Sequence, residues 1–170
     1  FASEAGAAAL IDTAAEAFGS IDILVNTAGI CVMAPFDEMT SRDIHRHIEV
    51  NLMGPLWTSR AAWPHMKRAG YGRIVNICSG GFSGTRLLGA YGVSKGGLFS
   101  LTRVLSVEGA PFGIRANAVN PLAFTRMLAS QQEESSLLYR EARANHPAEL
   151  VSPVVAFLAH ESCPVTGECI

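Results

Sequence analysis

The chain has 170 residues, of which 49% are hydrophobic and 16% are charged, and its formal net charge is −2. This length suits one globular domain and is too short for two ordinary ones, so we expect a single domain over residues 1–170. The small net charge excludes a basic surface for nucleic acid or an anionic membrane, and no apolar run reaches the ~20 residues needed to cross a bilayer.

The pattern of apolar residues predicts helices and short strands that alternate along the chain. The predicted strands are continuous apolar runs, typical of strands buried on both faces, at residues 21–26, 72–78 and 114–121. The predicted helices cover residues 3–18, 42–67, 90–109, 130–147 and 149–160. A bend is expected near Gly54 and Pro55, and the polar segment 130–147 is predicted to be a mobile flap.

Helices of this length between successive strands predict a parallel sheet with right-handed crossovers, which is an α/β fold. In such sheets, ligands bind beyond the carboxyl ends of the strands. A different short segment follows each predicted strand: residues 26–29, the glycine-rich loop that begins at Ser79, and the segment after Pro121. The sequence therefore predicts a ligand site at this edge of the sheet.

The cysteines and histidines do not have the spacing of a metal site. No C-x-x-C pair occurs among Cys31, Cys78, Cys163 and Cys169. Reduced thiols in a cytoplasmic protein are therefore favoured over a disulfide framework or a zinc site. His45 and His47 are two residues apart on a predicted helix and point to nearly opposite sides, so they could not share one metal ion. We expect both histidines to be solvated and no metal to be bound.

The stretch "YGVSK" places Tyr91 and Lys95 one helical turn apart, in a chain with only three tyrosines and two lysines. An ordinary pair on a helix surface is the alternative, and for the pair alone it is the favoured one. The small and apolar flanks, however, favour a partly desolvated ammonium. A nearby cation would lower the pKa of the phenol towards neutral pH, so we expect Lys95 to make Tyr91 usable as an acid–base group.

Two other polar residues could complete this site. Ser79 follows a predicted strand, and its hydroxyl and the Tyr91 phenol could bind one carbonyl oxygen as it becomes an alkoxide; a simple turn residue is the alternative. Asn51 lies inside a predicted helix, where asparagine is a mediocre helix former. It could hold a water next to Lys95, and the alternative is an asparagine that caps or fills the bend.

Five sequence blocks together resemble the short-chain dehydrogenase/reductases. In chain order they are "DILVNTAG", "VNLMG", "GRIVNICS", "YGVSKGG" and "IRANAVNPLAFTRM", and the resemblance extends over residues 3–167. It implies a doubly wound parallel sheet of the Rossmann type. It also implies an enzyme that uses NAD or NADP to interconvert a secondary alcohol and a ketone. The segments "PLAFTRM" and "AAWPHM" look most like hydroxyacyl-CoA dehydrogenase domains, so 3-hydroxyacyl-CoA, a steroid or a similar small molecule is the implied substrate.

The resemblance also implies roles for individual residues. The catalytic tetrad of the family is matched by Asn51, Ser79, Tyr91 and Lys95. Asn51 would hold a relay water and Ser79 would anchor the substrate carbonyl. Tyr91 would be the acid–base, and Lys95 would lower its pKa and bind the nicotinamide ribose. The implied cofactor-binding residues are Asn26, Ala28, Gly29, Tyr91, Lys95, Pro121 and Thr125. The chain departs from the family at Thr27, Cys78 and Leu122, where Asn, Ser and a Pro-Gly pair are more usual.

The family's opening strand and its T-G-x-x-x-G-x-G turn have no match in the chain. We therefore expect a partial Rossmann-type domain that lacks the first βαβ unit, and we also expect no strand after "TGE". Taken alone, the chain is expected to be inactive. The full-length protein is expected to form a homodimer or homotetramer. The alternative function is a non-catalytic relative that binds a dinucleotide or acts as a scaffold.

Overall fold

The computed structural model describes residues 2–170 and contains a parallel sheet with helices on both faces. The three strands of the described sheet are β1 (Ile23–Asn26), β2 (Gly72–Ile77) and β3 (Ile114–Val119), in the order β1-β2-β3. Asn26 pairs with Asn76 and Val75 pairs with Asn117, so the carboxyl ends of the strands lie side by side. The predicted parallel α/β fold is confirmed.

Seven α-helices connect or flank these strands within the described residues. They are α1 (Glu4–Phe18), α2 (Ser41–Ile48), α3 (Gly54–Ala69), α4 (Gly89–Gly109), α5 (Arg126–Ala129), α6 (Leu137–Asn145) and α7 (Val151–Ala159). Ser3 caps α1 through its side chain, and Gly19 ends the helix in the left-handed conformation that glycine adopts most easily. Thr40 caps α2 in the same way as Ser3 caps α1.

The predicted helix 42–67 is interrupted directly before the predicted bend at Gly54 and Pro55. A π-helical turn at Glu49–Met53 joins α2 to α3, and Pro55 lies in the first turn of α3, where it is well tolerated. Such turns are rare and are often found at functional sites. The turn contains Asn51, one of the predicted site residues.

Alternate residues of the strands face two apolar layers. Helices α1, α3 and α4 pack on one face, and α7 packs on the other. The first layer contains Ile11, Leu24, Ala62, Met66, Ile74, Leu105, Ile114 and Ala116. The second layer contains Val75, Val119, Leu158, Ala159 and Cys163. Burial on both faces explains the continuous apolar runs of β2 and β3. The prediction is wrong for β1, where Ile23 and Val25 are exposed.

The end of the described chain makes one isolated parallel bridge to β3, between Ala118 and Cys169, and adds no further strand to the described sheet. The segment 167–170 runs parallel to β3: the Ala118 N–H donates to the Glu168 carbonyl at 2.8 Å, and the Ile170 N–H donates to the Ala118 carbonyl at 3.0 Å. The sequence ends too soon after "TGE" to show this pairing by periodicity. None of the described helices is long and apolar enough to cross a membrane.

The predicted flap is a packed segment rather than a purely polar one. Helix α6 buries Tyr139 and Ala142, and the Tyr139 ring lies edge-on to Phe124 at 5.1 Å between ring centroids. Leu137 and Leu138, in the first turn of α6, are exposed.

Candidate active site

A cavity of about 740 Å³ lies at the carboxyl ends of the three strands. Its floor is Ile77 and Ser79 at the end of β2, with Tyr91 and Lys95 from α4. The loop after β1 and the segment after β3 form opposite walls, and α5 and the start of α6 close one side. The residues that line these walls include Gly29, Cys31, Met33, Asn120, Pro121, Thr125, Met127, Leu128 and Leu138.

The cavity brings together most of the predicted site residues. Gly29, Ser79, Tyr91, Lys95, Pro121 and Thr125 all line it. Asn26, Ala28 and Asn51 do not line it. Residues from three separate strand ends therefore meet around one space, as the parallel topology requires.

Lys95 is a buried cation, with only 4% of its surface exposed. Its Nζ donates a hydrogen bond of 2.6 Å to the carbonyl oxygen of Ile77 and lies 5.7 Å from the centroid of the Tyr91 ring. Burial lowers the pKa of the ammonium, and the nearby thiols of Cys78 and Cys31 act in the opposite direction. The sequence-based expectation of a desolvated lysine is consistent with this environment.

The expectation that Lys95 lowers the pKa of Tyr91 is not met. Burial raises the pKa of the Tyr91 phenol above its ordinary value, and a hydrogen bond with the Ser79 side chain is the interaction that lowers it. The ammonium is held at the end of β2 by its hydrogen bond to Ile77 and lies over the Tyr91 ring, 5.7 Å from the centroid. The raised pKa favours the protonated phenol at neutral pH.

Close packing of a glycine-rich turn places Ser79 next to Tyr91. The Ser79 Oγ accepts a hydrogen bond from the Gly81 N–H at 3.2 Å, which starts a 3₁₀ turn at Gly80–Ser83. A Cβ at Gly92 would lie only 2.8 Å from the Gly81 carbonyl oxygen, and a Cβ at Gly81 would lie 3.2 Å from the Tyr91 ring. Glycine at both positions lets the turn that follows Ser79 pack closely against the start of α4, which carries Tyr91.

Asn51 lies beneath the cavity wall and is fully buried. Its Oδ1 accepts from the Ile30 N–H at 2.8 Å, while its Nδ2 donates to the Ile30 carbonyl at 2.9 Å and to the Ser94 hydroxyl at 3.2 Å. Both amide hydrogens are therefore used within the protein. A Cβ at Gly29 would lie 3.3 Å from Asn51 Oδ1 and 3.6 Å from Lys95 Nζ, so Asn51 and Lys95 border the same small space.

Asn26 belongs to a buried polar chain and not to the cavity wall. Its Nδ2 donates to Asn76 Oδ1 at 2.8 Å, and its Oδ1 accepts from the Thr58 hydroxyl at 2.7 Å. Asn76 in turn donates to the Thr102 hydroxyl at 2.9 Å. These hydrogen bonds link β1 and β2 to α3 and α4. They therefore fix the positions of the strand ends that carry the site.

The prediction that both histidines are solvated is wrong for His47. His45 is exposed, but His47 is fully buried. Its Nε2 accepts from the Val32 N–H at 3.0 Å, and its Nδ1 lies 2.6 Å from the Asp43 carbonyl oxygen. The one sequence signal for this burial is the spacing of four residues that places His47 on the same helix face as Asn51.

Sequence reasoning also missed the apolar side of the cavity. Its lining includes Met33 from the loop after β1, Leu88 just before α4, Met127 of α5 and Leu138 of α6. The Gln131 Nε2 donates to the Cys31 carbonyl at 3.1 Å and so joins the flap to the loop after β1. Contacts between segments 100 residues apart leave no local pattern in a sequence.

A family model described as "short chain dehydrogenase" matches residues 1–136. The chain belongs to the short-chain dehydrogenase family. A similar relative is the peroxisomal hydratase-dehydrogenase-epimerase of Saccharomyces cerevisiae, which is 37% identical over 159 residues. That alignment covers 93% of this chain and 17% of the yeast protein, so the chain spans a small part of this curated relative.

Solved structures of other dehydrogenases have the same fold. A gluconate 5-dehydrogenase from Burkholderia cenocepacia, in complex with NADP and tartrate, is 30% identical with a TM-score of 0.89; the match covers 99% of this chain and 69% of that one. An NAD⁺-bound xylitol dehydrogenase is 29% identical with a TM-score of 0.88, covering 99% of this chain and 74% of that one. The Rossmann-like arrangement of the short-chain dehydrogenases therefore extends over nearly the whole chain.

Proposed function

We propose that the chain is the catalytic part of an NAD(P)-dependent oxidoreductase that interconverts a secondary alcohol and a ketone. The observation that carries the proposal is the grouping of Ser79, Tyr91 and Lys95 on one floor of a cavity at the strand ends. The Ser79 side chain lowers the pKa of the Tyr91 phenol, and both side chains line the cavity, so both could reach one carbonyl oxygen of a ligand. Family membership and the NADP and NAD⁺ complexes of similar dehydrogenases support this choice.

The residues present fit a nicotinamide cofactor. Lys95 and Arg126 are the cations among the described lining residues, and no Asp or Glu lines the cavity, which suits an anionic ligand. Gly29 keeps open the space beside Lys95 that a side chain would fill. We propose that Gly29, Lys95, Pro121 and Thr125 hold the nicotinamide end, and that the buried Asn26 supports that wall from behind. The exposed Ala28 would contact another part of the cofactor. When bound, the cofactor accepts or supplies the hydride.

The residues of the chain would then manage the proton and the oxygen. Ser79 donates a hydrogen bond to the substrate oxygen and orients it towards Tyr91. In ketone reduction Tyr91 gives its proton to that oxygen, and in alcohol oxidation the phenolate removes it. The Lys95 ammonium can donate hydrogen bonds to ribose hydroxyls of the cofactor. Tyr91 is half-buried in the cavity, where fewer waters compete for the oxygen than in open solvent.

Asn51 would act as a positioning residue. Both of its amide hydrogens are donated, one to the Ile30 carbonyl and one to the Ser94 hydroxyl, so Asn51 has none left for a relay water. A relay water beside Lys95 would instead be bound by the segment around Ile30 that Asn51 holds in place. The remaining expectations belong to the same proposal: a single partial domain over residues 1–170, and a homodimer or homotetramer of the full-length protein. The four free cysteines are compatible with a reducing compartment such as the cytoplasm.

A non-catalytic relative that binds a dinucleotide is the second candidate, and it predicts binding without turnover. The test is to incubate the full-length protein with NAD or NADP and a panel of secondary alcohols and ketones that includes a 3-hydroxyacyl-CoA and a steroid. Formation or loss of the reduced nicotinamide is followed by absorbance. We expect turnover of at least one substrate class. Cofactor binding with no turnover across the panel would favour the non-catalytic candidate.

A further inference from the structure

The buried side chain of His47 contacts two parts of the candidate site without lining the cavity. Its ring lies edge-on to Tyr91, with 6.3 Å between centroids and 81° between planes. On its other side, Nδ1 faces the Asp43 carbonyl and Nε2 faces the Val32 N–H. A carbonyl oxygen only accepts, so Nδ1 carries the hydrogen and Nε2 is the acceptor. Two backbone groups thus fix one tautomer of the imidazole.

The segment that His47 holds is a wall of the cavity. Gly29, Cys31 and Met33 line the cavity, and the backbone between them is held from behind. The Asn51 side chain hydrogen-bonds to the backbone of Ile30, and the His47 ring accepts from the Val32 N–H. The Leu87 carbonyl accepts from the Ala34 N–H. His47 and Asn51 are four residues apart, so one face of α2 and the π-helical turn holds the wall at two successive points.

We propose that His47 is a positioning residue of this site. In its Nδ1–H tautomer it holds the wall formed by Cys31 and Met33 through Val32, and its ring edge fixes the orientation of Tyr91. The kinetic consequence of this role rests on the proposed function; the structural role does not. If the wall moves, a substrate is held less well against Tyr91 and Ser79, and both its affinity and its turnover fall.

The first test needs no substrate. Nitrogen NMR of protein labelled at its histidines reports which ring nitrogen carries the hydrogen, and we expect Nδ1 for His47. A glutamine at this position can still accept from Val32 through its amide oxygen, whereas leucine cannot. We expect the Val32 amide to exchange roughly tenfold faster in His47→Leu and to stay protected in His47→Gln. An Nε2–H tautomer, or equal protection in the leucine variant, would overturn the proposal.

His45→Gln is the matched control, because His45 is exposed on the same helix two residues away. It should change neither the Val32 exchange nor the kinetics. In the active full-length protein, His47→Leu should raise the substrate KM by roughly fivefold to tenfold and also lower kcat, and His47→Gln should restore both to within about twofold. A simple loss of folded protein would lower kcat at unchanged KM.

An unchanged KM in His47→Leu, or a glutamine variant no better than the leucine variant, would contradict the proposal. Failure of the proposed function would look different, since the wild-type protein would then turn over no substrate. In that case the exchange of the Val32 amide still decides the role of His47.

Discussion

The Lys95 ammonium donates a 2.6 Å hydrogen bond to the carbonyl oxygen of Ile77, the last residue of β2. This bond fixes the cation at the strand end and leaves its other N–H groups for the cavity. The ammonium is nearly fully buried and makes no ion pair with a described acid. Such a group costs free energy to bury, so its position favours a ligand-binding role over a structural one.

Replacement of Lys95 by methionine should therefore separate stability from function. Methionine fills similar space without a buried charge, so we expect a free energy of unfolding no lower than that of the wild type. Cofactor affinity and activity should both fall. The other lysine of the chain gives the control: Lys67→Met removes a cation that lies over the Phe112 ring, far from the cavity. Unchanged cofactor affinity in Lys95→Met, measured by fluorescence titration, would contradict the assignment.

Replacement of Tyr91 by phenylalanine should remove the acid–base and leave the cavity shape nearly unchanged. In the full-length protein we expect turnover to fall by ~10² or more, with cofactor binding retained. Tyr71→Phe is the matched control, since the ring at position 71 contacts the Arg73 guanidinium and phenylalanine keeps that contact. A Tyr91→Phe variant that keeps most of its activity would show that another group transfers the proton.

The raised pKa of Tyr91 sets the sign of the pH dependence. The protonated phenol is the acid needed for ketone reduction, so reduction should persist through neutral pH and decline as pH rises through the raised pKa. Alcohol oxidation needs the phenolate and should increase over the same range. Ser79→Ala removes the interaction that lowers this pKa. The decline of reduction and the increase of oxidation should therefore both occur at higher pH in this variant.

Ser83→Ala is the control for that measurement, because Ser83 lies in the same 3₁₀ turn and bonds only to the Gly80 carbonyl. Rate profiles for both directions, measured on all three proteins, provide the comparison. A shift to lower pH in Ser79→Ala would contradict the hydrogen bond between Ser79 and Tyr91.

Local patterns were enough to predict the strands, most helix limits and the edge of the sheet at which Ser79, Tyr91 and Lys95 line one cavity. The strands are apolar on both faces, and the caps at Ser3 and Thr40 act within one turn, so neighbouring residues carry the information. The burial of His47 and the raised pKa of Tyr91 were not predicted. Both depend on side chains that meet across separate elements, such as the contact between His47 on α2 and Tyr91 on α4. The four-residue spacing of Tyr91 and Lys95 does not predict that the Lys95 ammonium bonds to the Ile77 carbonyl.

Arg73 makes a testable contribution to stability on the side of the sheet that faces α7. This buried guanidinium donates to the carbonyl oxygens of Gly72, Gly113, His160 and Glu161. Arg73→Met should lower the free energy of unfolding by about 2–4 kcal/mol, because several carbonyl groups lose their donor. Arg115→Met, at the paired position on β3, is half-buried and should cost less. Equal denaturation midpoints for the two variants would contradict this account.

The exposed side of α4 should form the expected subunit interface of the full-length protein. Val93, Val104 and Val107 lie at helical spacing and are 66%, 48% and 73% exposed. Val104→Lys combined with Val107→Lys should dissociate the oligomer, whereas Leu10→Lys on α1 should not. Analytical ultracentrifugation measures both outcomes. A wild-type protein that sediments as a monomer at micromolar concentration would refute the interface.

The polar chain from Thr58 through Asn26 and Asn76 to Thr102 also restricts how this sequence can drift over evolutionary time. Each amide both donates to and accepts from a neighbour in the core. An apolar residue at Asn76 alone would leave a donor on Asn26 and an acceptor on Thr102 unpaired, at roughly 1–3 kcal/mol for each group. Replacement of all the linked groups together would avoid that cost, but it requires several substitutions at once. These positions should therefore be inherited as a block, even though most of them never touch a ligand.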